Sequence, residues 1–328
     1  DSNEYGTYRY LLSVYGLIAI FTLGGFNTAV TRSVAKGFDG DIYRAFRIQF
    51  FSSLVVSLGT LAVSAYYFWQ GNSVLGAGFL IMALALPIME PYDLYQSILN
   101  GKRMFKVMAI TSVISSIFTV ALIIMMVFLG GTVIPILATY FIVWILLKWI
   151  FFSKFKKLIS NEKRSGNFSE IGINFSLVNI ISGISTYIDR ILLFQLVGAR
   201  ELAIYSFAAA PPEQIKGFFK NLSSLILPKL STRREREIIS GLPKKLMLML
   251  TVIVPIMALY ILVVPTLFDW FFPQYIESIG YSQLYVISLV GLLVIPINAA
   301  MSSIPKTKSL VVASIVAPII SIPITIIL

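Results

Sequence analysis

The 328 residues include neither cysteine nor histidine. Without thiols there is no disulfide frame and no thiol nucleophile; without imidazoles there is no His-ligated metal and no histidine proton relay. Charge is also scarce. Only 12% of residues are charged, with 15 acids against 26 bases and a formal net charge of +11. No G-x-x-x-x-G-K-[ST] pattern occurs, which excludes a P-loop ATPase. No metal site and no cofactor are expected. What is abundant is apolar surface: 57% of residues are hydrophobic and the mean hydropathy is +0.86. A water-soluble protein of this length needs far more polar surface, so a bilayer is the expected solvent for most of the chain. The sequence starts without Met and stops inside an apolar run at Leu328. It is read as part of a longer chain, so the lack of a signal peptide carries little weight.

Apolar windows of about 20 residues, enough to cross ~30 Å of hydrocarbon, occur ten times. They are 10–31, 48–69, 74–98, 106–129, 132–152, 172–196, 202–227, 246–267, 282–300 and 309–328, here lettered a to j. Alternate loops hold nearly all the bases. Lys36, Arg44 and Arg47 follow a; Lys102, Arg103 and Lys106 follow c; Lys154, Lys156, Lys157, Lys163 and Arg164 follow e. Arg233, Arg234, Arg236, Lys244 and Lys245 lie between g and h, and Lys306 and Lys308 between i and j. The positive-inside rule then places residue 1 outside and the basic loops in the cytoplasm, without a violation over ten spans. This distribution accounts for the basic charge without nucleic acid. The expected class is an all-α, multi-pass protein of the cell (cytoplasmic) membrane. No loop is large enough to hold a catalytic domain, so no enzyme is expected.

The chain also resembles itself. Glu4, Gly6, Tyr8 and Tyr10 align without a gap on Glu201, Ala203, Tyr205 and Phe207, and Arg32 then falls on Lys229. Helices a and g share orientation, as in the parallel repeats of two-lobed transporters. The expected organisation is an N-terminal bundle over 1–158, a cytoplasmic linker over 159–170 and a C-terminal bundle over 171–328. Each is part of a bundle of about six helices, with a helix preceding a and further helices beyond Leu328.

Charged residues inside the apolar windows share helix faces. On helix f, Asn179, Ser182, Thr186, Asp189 and Arg190 fall within one arc. Helix g groups Ser206, Glu213, Lys216, Lys220 and Ser224, and helix c groups Glu90, Asp93 and Ser97. A charge at mid-membrane costs roughly 2.5–3.5 kcal/mol, while an apolar residue returns only about 0.3–0.6. These faces must therefore look into the bundle or onto water. Pro211 and Pro212 interrupt the hydrogen bonding of helix g, which is tolerated where neighbours satisfy the freed backbone. Structural ion pairs account equally well for any single pair here, and snorkelling to the interface accounts for Lys220, Arg32 and Lys229. A helix-end role for Glu90 and Asp93 is as well supported as a transport role. Three polar inward faces together point to a hydrated cavity suited to an anionic passenger.

"YIDRILLFQLVGARELAIYSFA" (187–208) followed by "LILPKLS" (225–231) resembles the polysaccharide-transporter family. These are the O-antigen and lipid-linked oligosaccharide flippases of the multidrug/oligosaccharidyl-lipid/polysaccharide exporter superfamily. "EYGTYRY" with "AVTRSVAKG" (29–37) resembles the family's second helix, and "ILNGKRMFKV" (98–107) its fourth-to-fifth loop. The resemblance implies a MATE-like fold and a flippase that moves a lipid-(pyro)phosphate oligosaccharide between leaflets by alternating access. It further implies Arg190, Lys216 and Lys220, with Arg32 more weakly, as cations for the phosphate. Asp189, Glu90, Glu213 and Asp93 would balance charge or couple an ion. Membrane lipid and a polysaccharide polymerase or glycosyltransferases would be partners. A cation-coupled drug exporter predicts an acid-dominated cavity instead, and a non-transporting scaffold predicts mutually paired, dispensable charges. A membrane-embedded glycosyltransferase would need a large catalytic loop.

Overall fold

The computed structural model describes residues 1–230 and 235–293, without the side chains of residues 185, 220–242, 244 and 245. Helix j and most of the charged g–h loop lie outside the described residues, and so does the side chain of Lys220. Eleven α-helices are described and no strand is assigned among these residues. They are α1 (Ser2–Ala19), α2 (Gly25–Ala35), α3 (Asp41–Trp69), α4 (Ser73–Tyr92), α5 (Leu94–Gly101) and α6 (Phe105–Phe128). There follow α7 (Val133–Phe155), α8 (Phe168–Leu196), α9 (Ala199–Leu230), α10 (Glu235–Phe271) and α11 (Ser278–Tyr285).

Six of the described helical segments are long and apolar enough to cross a membrane, or seven if α1 and α2 form one span. Helices b, c, d, e, f and h correspond to the six. Helix a is a single run in the sequence but a bent pair in space, its halves 53° apart. The break has a local cause: Leu23 adopts φ 62°, a left-handed conformation that no helix continues through. The carbonyls freed there are collected by side chains. Thr22 Oγ1 donates to Ala19 O at 2.6 Å, and Ser52 Oγ donates to Thr22 O at 2.9 Å. Helix g is a continuous 32-residue helix, α9, which is not among those six.

The packing is inside-out relative to a water-soluble bundle. Along α3 the buried face is Gln49, Ser53, Ser57, Thr60 and Ser64, while Phe51, Val55 and Leu58 are exposed. Small polar residues at helical spacing let backbones approach, and the apolar residues are left for lipid. The facing helix α4 contributes Gly76, where a Cβ would lie 2.8 Å from the Phe68 ring.

Three helix-interior prolines receive a common remedy. A proline lacks the N–H that would bond the carbonyl four residues back, and hydrocarbon offers no water to replace it. Pro87 in α4 frees Ala83 O, which accepts from Ser57 Oγ at 2.5 Å. Pro212 in α9 frees Ala208 O, which accepts from Ser282 Oγ at 2.7 Å. Pro265 in α10 frees Ile261 O, which accepts from Gln283 Nε2 at 3.0 Å. The Pro211-Pro212 pair leaves α9 unbroken, and the carbonyl freed by Pro212 is satisfied by a neighbouring helix.

The chain packs into two compact units. Among the described residues, one comprises residues 10–192, the other residues 1–9 with those from 193 to 293. This division differs from the one drawn at 159–170 from the internal repeat, since α8 packs with the helices before it as far as residue 192. The reason is local. Phe168 is buried in a core with Phe26, Ile42, Tyr95 and Phe152, and two buried carboxylates hold the segment leading into α8. Asp39 accepts from Ser160 N at 2.9 Å, Ser160 Oγ at 2.8 Å and Lys102 Nζ at 2.8 Å. Asp41 accepts from Ser165 N at 2.9 Å and from Ser33 Oγ, and pairs with Arg44 at 3.3 Å. Burial opposes ionisation of Asp39, but the Lys102 and Ser160 hydrogen bonds outweigh it and hold its carboxyl below the usual carboxylate range. The second unit has its own core of Ala203, Ile253, Tyr260, Val264, Phe268 and Tyr275.

Candidate functional site

The polar face of α8 opens onto a cavity of about 500 Å³ in the first unit. Asn179, Ser182 and Thr186 line it from α8, facing Tyr15 and Ala19 of α1 and Tyr140 of α7. Two glycines set its walls. A Cβ at Gly16 would lie 2.4 Å from the Tyr187 ring, and one at Gly183 would lie 2.2 Å from Ile20 Cδ1. Only at glycine can α1 and α8 approach this closely. Of the five residues grouped on one arc in the sequence, three line this cavity. Asp189 and Arg190 follow on the same helix, half-buried and beyond its lining. The Asp189 carboxylate accepts from the Arg190 backbone N–H at 2.8 Å.

Next to Tyr15 lies a cluster of ionisable groups. Tyr15 donates to Glu90 Oε1 at 2.6 Å, and Thr22 Oγ1 approaches Oε2 at 3.4 Å. One turn on, at the junction between α4 and α5, Asp93 pairs with Lys148 Nζ of α7 at 2.9 Å. Lys148 is only 7% exposed and its charge also acts on Glu90. Its ammonium sits 5.7 Å from the centroid of the Trp144 ring. A buried ammonium needs a counter-charge, and here one lysine serves two carboxylates. On its other side Asp93 lines a smaller polar cavity of about 260 Å³ with Asn27, Thr31, Gln96 and Asn100.

Lys148 was not among the residues singled out from the sequence. Its signal was present: a lone cation in "VIPILATYFIVWILLKWIFF", where the cost of mid-membrane charge calls for an acid on another helix. Glu90, Asp93, Asp189 and Glu213 were the acids available in the apolar windows, but which helix faces which is not a local property.

The other candidates separate. Arg32 ends α2 with its guanidinium 4.6 Å from the Phe175 ring centroid, a cation–π contact with α8. In the second unit, Tyr285 joins two predicted residues: its hydroxyl donates to Glu213 Oε1 at 2.8 Å, and Lys216 Nζ lies 4.9 Å from its ring centroid. Glu213 and Lys216 thus share a tyrosine. Among the described residues no group of three or more acids fit to hold a metal ion occurs. The arrangement suits binding and passage: polar faces, tyrosine hydroxyls and paired charges inside helices built for lipid.

A family profile described as polysaccharide biosynthesis protein matches residues 1–233. Among solved structures, the chain is similar to a multidrug resistance MATE family transporter of the MOP superfamily in its inward-facing conformation. The TM-score is 0.58 at 14% identity, over 99% of this chain and 80% of that one. That likeness shows the fold. No curated protein matches the chain. The profile spans well over half of the sequence, and the chain belongs to the polysaccharide biosynthesis protein family, as a multi-pass membrane protein with a MATE-like fold.

Proposed function

From this membership we propose that the chain is a flippase for a lipid-linked oligosaccharide in the cytoplasmic membrane. Family and fold point to a membrane exporter rather than an enzyme. The observation that carries the finer reading is the polar face of α8. Asn179, Ser182 and Thr186 open onto a cavity of about 500 Å³ from a helix otherwise apolar enough to span the membrane. Such a face is costly against lipid and suits a polar head group in transit. The lipid tail stays in the bilayer, and the basic loops face the cytoplasm, where the loaded carrier is made. Arg190, Lys216 and Lys220 meet the phosphate charge, with Arg32 at the inner gate. The Tyr15–Glu90 and Asp93–Lys148 cluster balances charge or couples an ion, and Asp189 and Glu213 serve as further balancing acids. The two halves 1–158 and 171–328, joined by 159–170, act as repeated lobes. Polysaccharide polymerase and glycosyltransferases are the expected neighbours in the membrane.

The test uses liposomes that carry a fluorescent lipid-pyrophosphate oligosaccharide. Transfer of label between leaflets should require the protein and should fall when Arg190, Lys216 or Lys220 is neutralised. No transfer by the folded protein under an imposed ion gradient would remove the flippase reading. Uptake of organic cations instead would favour the drug-export alternative, for which the half-buried acid Glu90 is the specific support.

A further inference from the structure

The second unit carries a groove that the reading above does not use. It has a volume of about 680 Å³ and lies where α8 ends, α9 begins and α11 packs alongside. This size falls within the usual range for small-molecule sites. Helical spacing gives the groove two levels. Arg200, Glu201 and Glu277 form the rim; Ile204, Tyr205 and Tyr281, each four residues further along its helix, form the floor. The rim is braced: Arg200 Nη2 contacts both oxygens of Glu277, at 2.8 and 2.9 Å. The floor is held in register by two fully buried serines of α11. Ser278 Oγ donates to Ile204 O at 2.9 Å and Ser282 Oγ to Ala208 O at 2.7 Å. Gly198, at φ 127°, turns the chain from α8 into α9 and lets the Glu201 carboxylate lie close against the turn.

We propose that this groove binds the neutral glycosyl part of the passenger on the side of the membrane opposite the basic loops. The proposal rests on the flippase reading. Two observations select this ligand chemistry. The first is charge: one guanidinium and two carboxylates make the rim formally negative, so a phosphate would be repelled. The second is shape and polarity. Planar guanidinium and carboxylate groups offer paired donors and acceptors to vicinal hydroxyls. One turn further along the helices, tyrosine rings offer flat apolar faces to the C–H side of a pyranose. Tyr281 is 61% exposed and so presents its ring to a ligand. The passenger would then be handled in parts, its phosphate by the membrane-embedded cations and its sugar by this outer groove.

The experiment uses the purified chain in lipid nanodiscs and a lipid-free neutral hexose trisaccharide, with saturation-transfer NMR reporting contact. The trisaccharide should show saturation transfer, and its apparent affinity should fall at least tenfold in Tyr281→Ala and in Glu277→Gln. Tyr281→Phe, which keeps the ring, should bind as the parent does. An absent signal with folded parent overturns the proposal. Unchanged affinity in both Tyr281→Ala and Glu277→Gln also overturns it, since Tyr281 would then be an interfacial anchor only. Displacement of the sugar by inorganic pyrophosphate or by tetraphenylphosphonium would reassign the groove to anions or organic cations. Leaflet transfer without trisaccharide binding defeats this inference alone; trisaccharide binding without leaflet transfer defeats the flippase reading alone.

Discussion

In the unit formed by residues 10–192, charge within apolar helices is enclosed: Lys148 is 7% exposed and pairs with Asp93 at 2.9 Å, while Tyr15 caps Glu90 at 2.6 Å. In the other unit, the charges around the outer groove stay open. The Arg200 and Glu277 side chains keep 54% and 62% of their surface exposed, and Glu213 is exposed beside Tyr285. Yet Pro87 in one unit and Pro212 and Pro265 in the other are treated alike, each with a neighbour's polar side chain on the freed carbonyl. Charge can be relieved either by a buried partner or by access to water, and the two units take different routes. An orphaned carbonyl at membrane depth has only one remedy, a donor from within the protein. The enclosed cluster should therefore respond to mutation as a structural network, and the open groups as surface available to a ligand.

The largest effect expected is that of Lys148→Met. It leaves Asp93 and Glu90, both half-buried, without their cation and should cost about 2–4 kcal/mol, somewhat less than breaking a fully enclosed pair. Thermal unfolding in detergent would measure it. The double variant Lys148→Met/Asp93→Asn should recover part of the loss, and additivity of the two would show that they do not interact.

Asp39→Asn should cost less, about 1.5–3 kcal/mol, through weakened hydrogen bonds to a charged acceptor. Its pH signature has a definite sign. A carboxyl held below its ordinary pKa adds stability that is present above the unfolded value and is lost as pH falls through the folded one. Parent stability should therefore decline as pH drops below the ordinary carboxylate range of about 4, and the variant should show a flatter decline. Equal slopes would remove Asp39 as an anchor of the segment before α8.

Ser57→Ala should cost about 1–3 kcal/mol by orphaning Ala83 O. Ser282→Ala should cost more, because Ser282 also bonds Tyr260 at 2.6 Å as well as serving Ala208 O. If either change is neutral in unfolding experiments, the shared proline remedy fails in that unit. The smallest effect belongs to the open pair: Arg200→Ala should shift stability by about 0–1 kcal/mol, as exposed ion pairs do. A loss as large as that of Lys148→Met would abolish the contrast between the units.

Much of this was legible in advance because membrane spans are local. Hydrocarbon demands about 20 apolar residues in a row, and helices b to f and h appear where such runs occur. The polar face of α8 was legible for the same reason, since Asn179, Ser182 and Thr186 follow helical spacing and do line a cavity. The bend at Leu23 was not, because a single left-handed leucine leaves no mark on hydropathy. Lys148 was missed because an isolated lysine in an apolar run reveals its cost but not its partner. The contact of Arg32 with the Phe175 ring was not legible either, because it joins residues far apart in the sequence.

The sequence by itself determined that this chain lives in a bilayer as a helical protein, how its basic loops are distributed, and which helix faces are polar. Periodicity and transfer free energy act on neighbours along the chain, so they can be read from it. Only the tertiary structure decided that Lys148 answers Asp93 and Glu90, that Ser57, Ser282 and Gln283 satisfy carbonyls freed by prolines on other helices, and that Arg200 and Glu277 rim a groove. Each of these depends on the register of one helix against another, set by packing between residues far apart in sequence.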